Sequence, residues 1–243
     1  MSSIQRILAL TNRNLKEILR DPLSLIFLYG VPFIMLILFY FLFHSATSQF
    51  EMRYLAPGMV VFGQAFITLF IGTLIASDKA SSFIIRIYTT EIRSYEFITS
   101  YALAIAPIAL SQSLGVLVIA GLIDSSFFTW SILLATLASL VTALLFIAFG
   151  ILFGSLFNEK SVGGIASIVI MMQSILSGMW FPIEGLSEGF VKALDILPFK
   201  NSSLIIQQSI DLNSTTTPIL IVLGYAIVLF TMSIVVYKKR MKQ

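Results

Sequence analysis

The sequence predicts an all-α integral membrane protein with six transmembrane helices. Hydrophobic residues make up 58% of its 243 residues and charged residues only 11%, whereas an ordinary soluble domain has about 25% charged residues. The mean hydropathy of +0.97 indicates more apolar surface than one soluble core of this length could bury, so lipid has to cover the rest. The composition therefore argues against a soluble globule, a disordered chain and a nucleic-acid-binding protein. The chain has no cysteine, which excludes disulfides and Cys-based zinc sites.

Six apolar runs contain no Asp, Glu, Lys or Arg, and each has 20 or more residues. About 20 helical residues are enough to cross a hydrocarbon core of roughly 30 Å. The runs therefore predict a six-span transmembrane domain over residues 23–243. The predicted spans are residues 23–43, 58–77, 97–123, 130–157, 161–181 and 218–237.

The basic residues are distributed unevenly between the two sides of these spans. Twelve of the 15 lysines and arginines fall in the two termini and in loops 78–96 and 158–160, which all lie on one side. The positive-inside rule places that side in the cytoplasm, together with both termini. This topology requires a tight hairpin at residues 158–160.

Residues 1–22 precede the first span and read as an amphipathic helix. Apolar residues recur at helical spacing, while Arg6, Arg13 and Lys16 lie on the other face. The pattern is typical of a helix at the membrane interface, and the alternative is a soluble cytoplasmic helix. Pro22 fits a break between this helix and the first span.

The loop of residues 78–96 carries three basic and three acidic residues. Between these charges, Phe83, Ile84, Ile87 and Tyr88 have spacings that place an apolar stripe on one side of a short helix. The stripe could lie on lipid headgroups or dock into a groove of a cytoplasmic partner. The zero net charge of the loop favours the partner over an anionic membrane surface.

The loop of residues 182–217 is long enough to have structure of its own. Ile183, Leu186, Phe190, Leu194 and Leu197 keep helical spacing, and Pro198 ends the run. We expect a short hairpin or re-entrant element at the outer leaflet. Because non-helical backbone at membrane depth needs protein or water around it, we expect this element to cover the outer end of a pathway between protomers.

The sequence shows no recognisable catalytic constellation. The only histidine, His44, lies just past span one and reads as a loop residue, and no glycine is followed by lysine, so we expect neither a histidine-based triad nor a phosphate-binding loop. We expect no cofactor or metal on this chain. Proton or sodium coupling usually relies on ionisable groups within the spans, and these spans hold no Asp, Glu, Lys, Arg or His, which argues against an antiporter. Their polar side chains either bond between helices or line a pathway, and the pathway candidates are Gln64, Thr68, Gln112 and Gln173.

Several short motifs occur in a characteristic order along the chain. They are Arg20-Asp21-Pro22 followed by Pro32, residues 54–58 at the start of span two, Arg86 with Thr89-Thr90, and Leu176-Ser177-Gly178 followed by Pro182 and Pro198. With these motifs the sequence resembles the permease subunit of type-2 ABC exporters, in the drug and antibiotic efflux branch of the ABC-2 type transporter family. The similarity runs along essentially the whole chain.

The resemblance assigns roles to the segments. Residues 1–22 become the elbow helix, with Arg20, Asp21 and Pro22 at its end, and loop 78–96 carries a short cytoplasmic coupling helix. Ser177, Gly178 and Pro182 belong to the external re-entrant helical element of loop 182–217. The contacts with the ATPase are then Asp78, Lys79, Phe83, Arg86, Ile87 and Tyr88.

The resemblance also implies a function. Two copies, or this chain and a paralogue, would form a pathway in a prokaryotic plasma membrane, driven by two separate nucleotide-binding subunits that hold ATP and Mg²⁺. Because the spans carry no charge, we expect a hydrophobic or amphipathic cargo, such as a drug, an antimicrobial peptide or a lipid. The alternatives are a polysaccharide or ion exporter of the same family and a membrane scaffold or sensor without transport activity. Membrane lipid is an expected partner, and nucleic acid is not.

Overall fold

The computed structural model describes residues 2–81, 93–180 and 186–240, and all regular secondary structure in these ranges is helical. We number the main helices α1 to α9 in chain order, and short 3-10 turns lie between some of them. The helices are α1 Ser3–Leu19, α2 Pro22–Phe43, α3 Met52–Ala80, α4 Ser94–Ile123, α5 Ser131–Leu156, α6 Glu159–Leu176, α7 Glu188–Ile196, α8 Pro198–Ile210 and α9 Thr216–Arg240.

Six of these helices, α2 to α6 and α9, are long and apolar enough to cross a membrane. They coincide with the six predicted spans, which confirms the predicted fold class. Span five is shorter than predicted, since α6 ends at Leu176. Two residues later Gly178 has a φ of 76°, a left-handed conformation that terminates helices and that glycine adopts without strain.

Helix α3 forms the centre of the bundle. In its most apolar stretch 83% of the residues are buried, against 17% in α2 and in α9. Glycines allow α3 and α5 to approach closely, because a Cβ on Gly154 would lie 2.7 Å from the carbonyl oxygen of Gly72. Small residues at helix contacts are the usual means of close packing within membranes. Helices α3 and α5 therefore form one tightly packed unit.

The predicted hairpin after span four is confirmed. Helix α5 ends at Leu156 and α6 begins at Glu159. The side-chain oxygen of Asn158 accepts a hydrogen bond of 3.0 Å from the backbone N–H of Ser161, which caps α6. One end of the bundle carries α1, this turn and the residues on either side of segment 82–92. We call this end the α1 face.

Helices α7 and α8 lie at the opposite end, which we call the α8 face. Leu197 is extended between them, and Pro198 is the first residue of α8, where its missing N–H leaves no helical bond unmade. Helix α8 packs against α3, α5 and α9. The described part of loop 182–217 thus contains two successive helices, and their arrangement as a hairpin or re-entrant element stays a prediction.

Candidate functional site

Helix α1 packs against the first turns of α4 at the α1 face. Its N-terminus is capped by Ser2, whose hydroxyl accepts from the backbone N–H of Gln5 while the Gln5 side chain bonds back to Ser2. The helix turns Asn14 and Ile18 into the bundle and leaves Ile4 exposed. It is amphipathic, as predicted, but its inner face also carries polar groups that meet partners on other helices.

The first of these contacts joins α1 to the end of α3. Arg13 donates from both terminal nitrogens to the Asp78 carboxylate, at 2.7 and 2.5 Å. The Tyr101 hydroxyl of α4 donates to the same carboxylate, and Asp78 is 4% exposed. Burial disfavours the guanidinium charge, but the hydrogen bond and the charge of Asp78 outweigh it and raise the pKa of Arg13. The Arg13 guanidinium therefore stays charged at neutral pH.

The second contact joins α1 to the start of α4. Arg6 donates to both oxygens of Glu96, at 3.2 and 2.8 Å, and the Glu96 side chain is fully buried. Glu96 also accepts from the Ser3 hydroxyl and, at 2.8 Å, from the backbone N–H of Arg93. One buried carboxylate thus holds α1 and the first turn of α4 together.

The two ion pairs flank segment 82–92, because Asp78 precedes it and Glu96 follows it. Both pairs use α1, through arginines seven residues apart, which is two helical turns. Helix α1 therefore fixes the two ends of this segment relative to each other.

Lys79 makes a third connection at the same place. Its Nζ donates to the carbonyl oxygens of Gly154, Ser155 and Phe157, at 2.7, 2.9 and 2.9 Å. A cation that bonds the last carbonyls of a helix also complements the negative end of the helix dipole. Lys79 thus ties the end of α3 to the end of α5.

The structure shows intramolecular partners for two of the six residues predicted to contact the ATPase. Asp78 and Lys79 bind α1, α4 and α5, and their contact with a partner stays a prediction. The other four lie outside the described residues, and they are Phe83, Arg86, Ile87 and Tyr88.

The residues predicted at the end of the elbow form the junction between α1 and α2. Arg20 is the C-cap of α1, and Asp21 is the N-cap of α2. The Asp21 carboxylate accepts from the backbone N–H of Leu23, at 3.1 Å, and from the Ser24 hydroxyl. Pro22 is the first residue of α2. Each residue of the motif has a part in ending one helix and starting the next.

The predicted pathway residues in α3 are buried between helices. Gln64 is 0% exposed, and its amide donates to Ser113 Oγ, at 2.9 Å, and to the carbonyl oxygen of Ser139, at 3.1 Å. Thr68 donates to the carbonyl oxygen of Phe146, at 3.1 Å. Both side chains link α3 to α5, as the interhelical alternative expects.

The other two predicted pathway residues are also buried. Gln112 lies against Gly63, and its amide nitrogen has no hydrogen-bond partner among the described residues. Gln173 donates weakly to the carbonyl oxygen of Phe199, at 3.4 Å, and its own oxygen is unpaired within the same ranges. A lining role for these glutamines stays a prediction.

Ser177 and Gly178 lie at the α8 face, beside a cavity of about 460 Å³. Gln49 donates to the carbonyl oxygen of Gly178, and Met179 fills the space over Gly58. The structure thus brings the 177–179 turn against the start of α3. Pro182, the third residue predicted for this element, lies outside the described residues.

Sequence reasoning missed four residues of the α1 face, namely Arg6, Arg13, Glu96 and Tyr101. The two arginines were recognised only as part of a polar helix face. Their spacing of seven residues, together with acidic residues on both sides of one loop, was the signal that could have paired them.

The comparisons with known proteins identify the family. The sequence matches the family model described as ABC-2 type transporter over residues 5–202, from α1 into α8. A search of curated proteins gives no match. Since the matched region covers most of the chain and the six long apolar helices agree with it, this integral membrane protein belongs to the ABC-2 type transporter family.

Proposed function

We propose that the chain is the permease subunit of an ATP-driven exporter, with the α1 face in the cytoplasm and the hydrolysis carried out by a separate ATPase. The proposal rests on one observation above all. Segment 82–92, which follows α3 and carries the apolar stripe, is connected at its ends to α1, α4 and α5 by buried or partly buried charged groups.

These connections suit the transmission of force. An ATPase that binds Phe83, Ile87 and Tyr88 would pull on both ends of the segment. Because Arg13 and Arg6 hold these ends together, the displacement would reach α3 and α4 as one movement, and Lys79 would carry it to α5. A loop whose ends were held only by solvated side chains would absorb such a displacement locally.

The cargo in this proposal is hydrophobic or amphipathic, and two copies of the chain, or the chain and a paralogue, form the pathway. The polar groups of α3 are engaged in hydrogen bonds inside one copy. Exposed side chains of the spans are mostly apolar, such as Ile168, Met171 and Ile175 on α6. Such surfaces suit an apolar cargo better than a polysaccharide or a hydrated ion.

The test is copurification with the cognate ATPase after co-expression. Replacing Ile87 and Tyr88 by Asp should lower the ATPase retained by the permease at least tenfold. The matched control replaces Leu186 and Phe190 by Asp, since both are exposed apolar residues at the α8 face, and it should retain the ATPase. Size-exclusion chromatography verifies that both variants are folded. Equal retention by the two variants would contradict the proposed docking segment.

Efflux then distinguishes transport from a scaffold role. Cells with the wild-type pair should export amphipathic compounds in proportion to ATP, even when the proton gradient is collapsed. Efflux that stops with the gradient and persists without ATP would overturn the exporter proposal.

A further inference from the structure

A continuous file of aromatic rings runs along α2 and α3 from the α1 face to the α8 face. Near the α1 face, Phe27 of α2 lies 6.5 Å from Phe70 and 5.4 Å from Phe66 of α3, measured between ring centroids. Phe66 lies 5.3 Å from Phe62. These separations are in the range of favourable ring contacts.

The file continues through Trp180, which follows the end of α6. Trp180 lies 6.3 Å from Phe62 and 4.6 Å from Phe39 of α2. Phe39 in turn stacks on Phe43 and Phe50, at 5.8 and 5.7 Å. Eight rings therefore link the two faces of the bundle without a break.

The file is reachable from outside the protein at both ends. Phe27 and Phe43 are each 39% exposed, whereas Phe62, Phe66 and Phe70 retain 8 to 9%. Seven of the eight rings are phenylalanines, which offer no hydrogen bond. Such a surface suits apolar groups and cations, and it offers little to the hydroxyls of a sugar.

The end of the file at the α1 face opens into a cavity of about 230 Å³, where Phe70 forms part of the wall. Three carboxyl groups line this cavity, from Glu17 and Asp21 of the α1–α2 junction and from Glu159 of α6, and no lysine or arginine of the described residues does. Leu74 adds apolar surface, and Thr73 and Ser77 add hydroxyls.

The three carboxyl groups differ in the ion pairs and hydrogen bonds that they already form within the protein. Glu17 pairs with Arg13, at 2.7 Å, and Asp21 caps α2. Glu159 forms no ion pair with the residues that the structure describes. Glu159 is therefore the group that a positively charged ligand would meet first.

We infer that the cargo is a lipophilic cation, whose charge enters the cavity at Glu159 and whose apolar part moves along the ring file beginning at Phe70, Phe27 and Phe66. This inference rests on the proposed export function and names its cargo class. The negative cavity supplies charge complementarity, and the faces of the rings carry a negative potential that attracts a cation through the rest of the path.

The test is equilibrium binding of radiolabelled tetraphenylphosphonium to the full-length chain in zwitterionic nanodiscs, with the signal of empty nanodiscs subtracted. Tetraphenylborate is the matched probe, since it has the same shape and the opposite charge. Glu159→Gln should weaken phosphonium binding about tenfold, equivalent to about 1.4 kcal/mol, and Phe66→Leu should weaken it at least threefold.

Two matched variants serve as controls. Glu188→Gln removes a first-turn glutamate from α7 instead of α6, and Phe128→Leu removes an exposed ring outside the file. Both should bind phosphonium within twofold of the wild type. Ser77→Lys places a cation at an exposed position of the cavity wall, and it should abolish phosphonium binding and improve borate binding.

Equal phosphonium affinity in the wild type, Glu159→Gln and Ser77→Lys would overturn the inference, as would borate binding with the same dependence on these residues. The experiment uses no ATPase. A negative result here combined with successful ATPase copurification would therefore reject the cargo class and leave the export function standing.

Discussion

Loss of the Arg13 guanidinium should destabilise the α1 face strongly. In Arg13→Met the Asp78 carboxylate, with a side chain only 5% exposed, remains buried and keeps the neutral Tyr101 hydroxyl as its partner among the described residues. Breaking a buried pair on one side costs about 3–5 kcal/mol. Because Arg13 itself is 31% exposed, solvent screens part of the attraction, and we expect a loss of about 2–3 kcal/mol in the free energy of unfolding.

The measurement is a double-mutant cycle with Asp78→Asn, read out by unfolding in SDS titrations. The neutral amide of that substitution leaves no buried charge behind, so the double variant should be more stable than the sum of the single losses by at least about 1 kcal/mol. Trypsin cleavage at Arg86 should also become faster in Arg13→Met. The exposed Arg53–Asp211 pair at the α8 face provides the control, where Arg53→Met should cost less than about 1 kcal/mol. Additivity within about 0.5 kcal/mol would refute the reasoning.

Three further substitutions test the connections of α3. Lys79→Met removes the cation from three carbonyls of α5 and should cost about 1–2 kcal/mol of unfolding free energy, while the exposed Lys192→Met should cost almost nothing. Gly154→Ala should cost about 1–3 kcal/mol because its Cβ meets backbone, whereas Gly163→Ala, with open space around it, should be neutral or stabilising in the same SDS titration. Gln64→Leu should lower the free energy of unfolding by about 1–2 kcal/mol because it removes hydrogen bonds between helices. It should leave the half-maximal cargo concentration for efflux unchanged. A shifted cargo preference would instead support a lining role for Gln64.

The six spans could be predicted from the sequence because lipid requires long stretches without charge. A search for long charge-free stretches finds the part of a helix that crosses the hydrocarbon core. It misses the part of the same helix that extends beyond the core. Helix α3 illustrates the difference, since the predicted span begins at Gly58, after Pro57, whereas the helix already begins at Met52. Pro57 lies inside this helix and does not end it. The end of α6 was missed for another reason, because the left-handed turn at Gly178 lies within an apolar sequence that continues to Phe181.

The contacts at the α1 face were less predictable from the sequence. Asp78 and Lys79 are adjacent charged residues at the end of a span, and the family resemblance assigns them to contact with an ATPase. Their partners, Arg13 and the end of α5, are brought to them only by the packing of α1 and α5 around α3. A polar helix face has the same periodicity whether it faces water or buried carboxylates, so hydrophobic patterning could not distinguish the two cases for α1.

Helix α3 connects the two parts of the proposed mechanism. It carries Asp78 and Lys79 at the α1 face and the ring-bearing residues Phe62, Phe66 and Phe70 farther along. Its close packing at Gly72 joins it to α5, whereas Phe27, the ring that faces Phe66 and Phe70, belongs to α2, whose most apolar stretch is 17% buried. A pull on segment 82–92 would therefore move α3 with α5 and change its position relative to α2. The separation between the rings of the two helices would change with this movement. The α2–α3 contact is therefore the place where ATPase movement would act on a lipophilic cation.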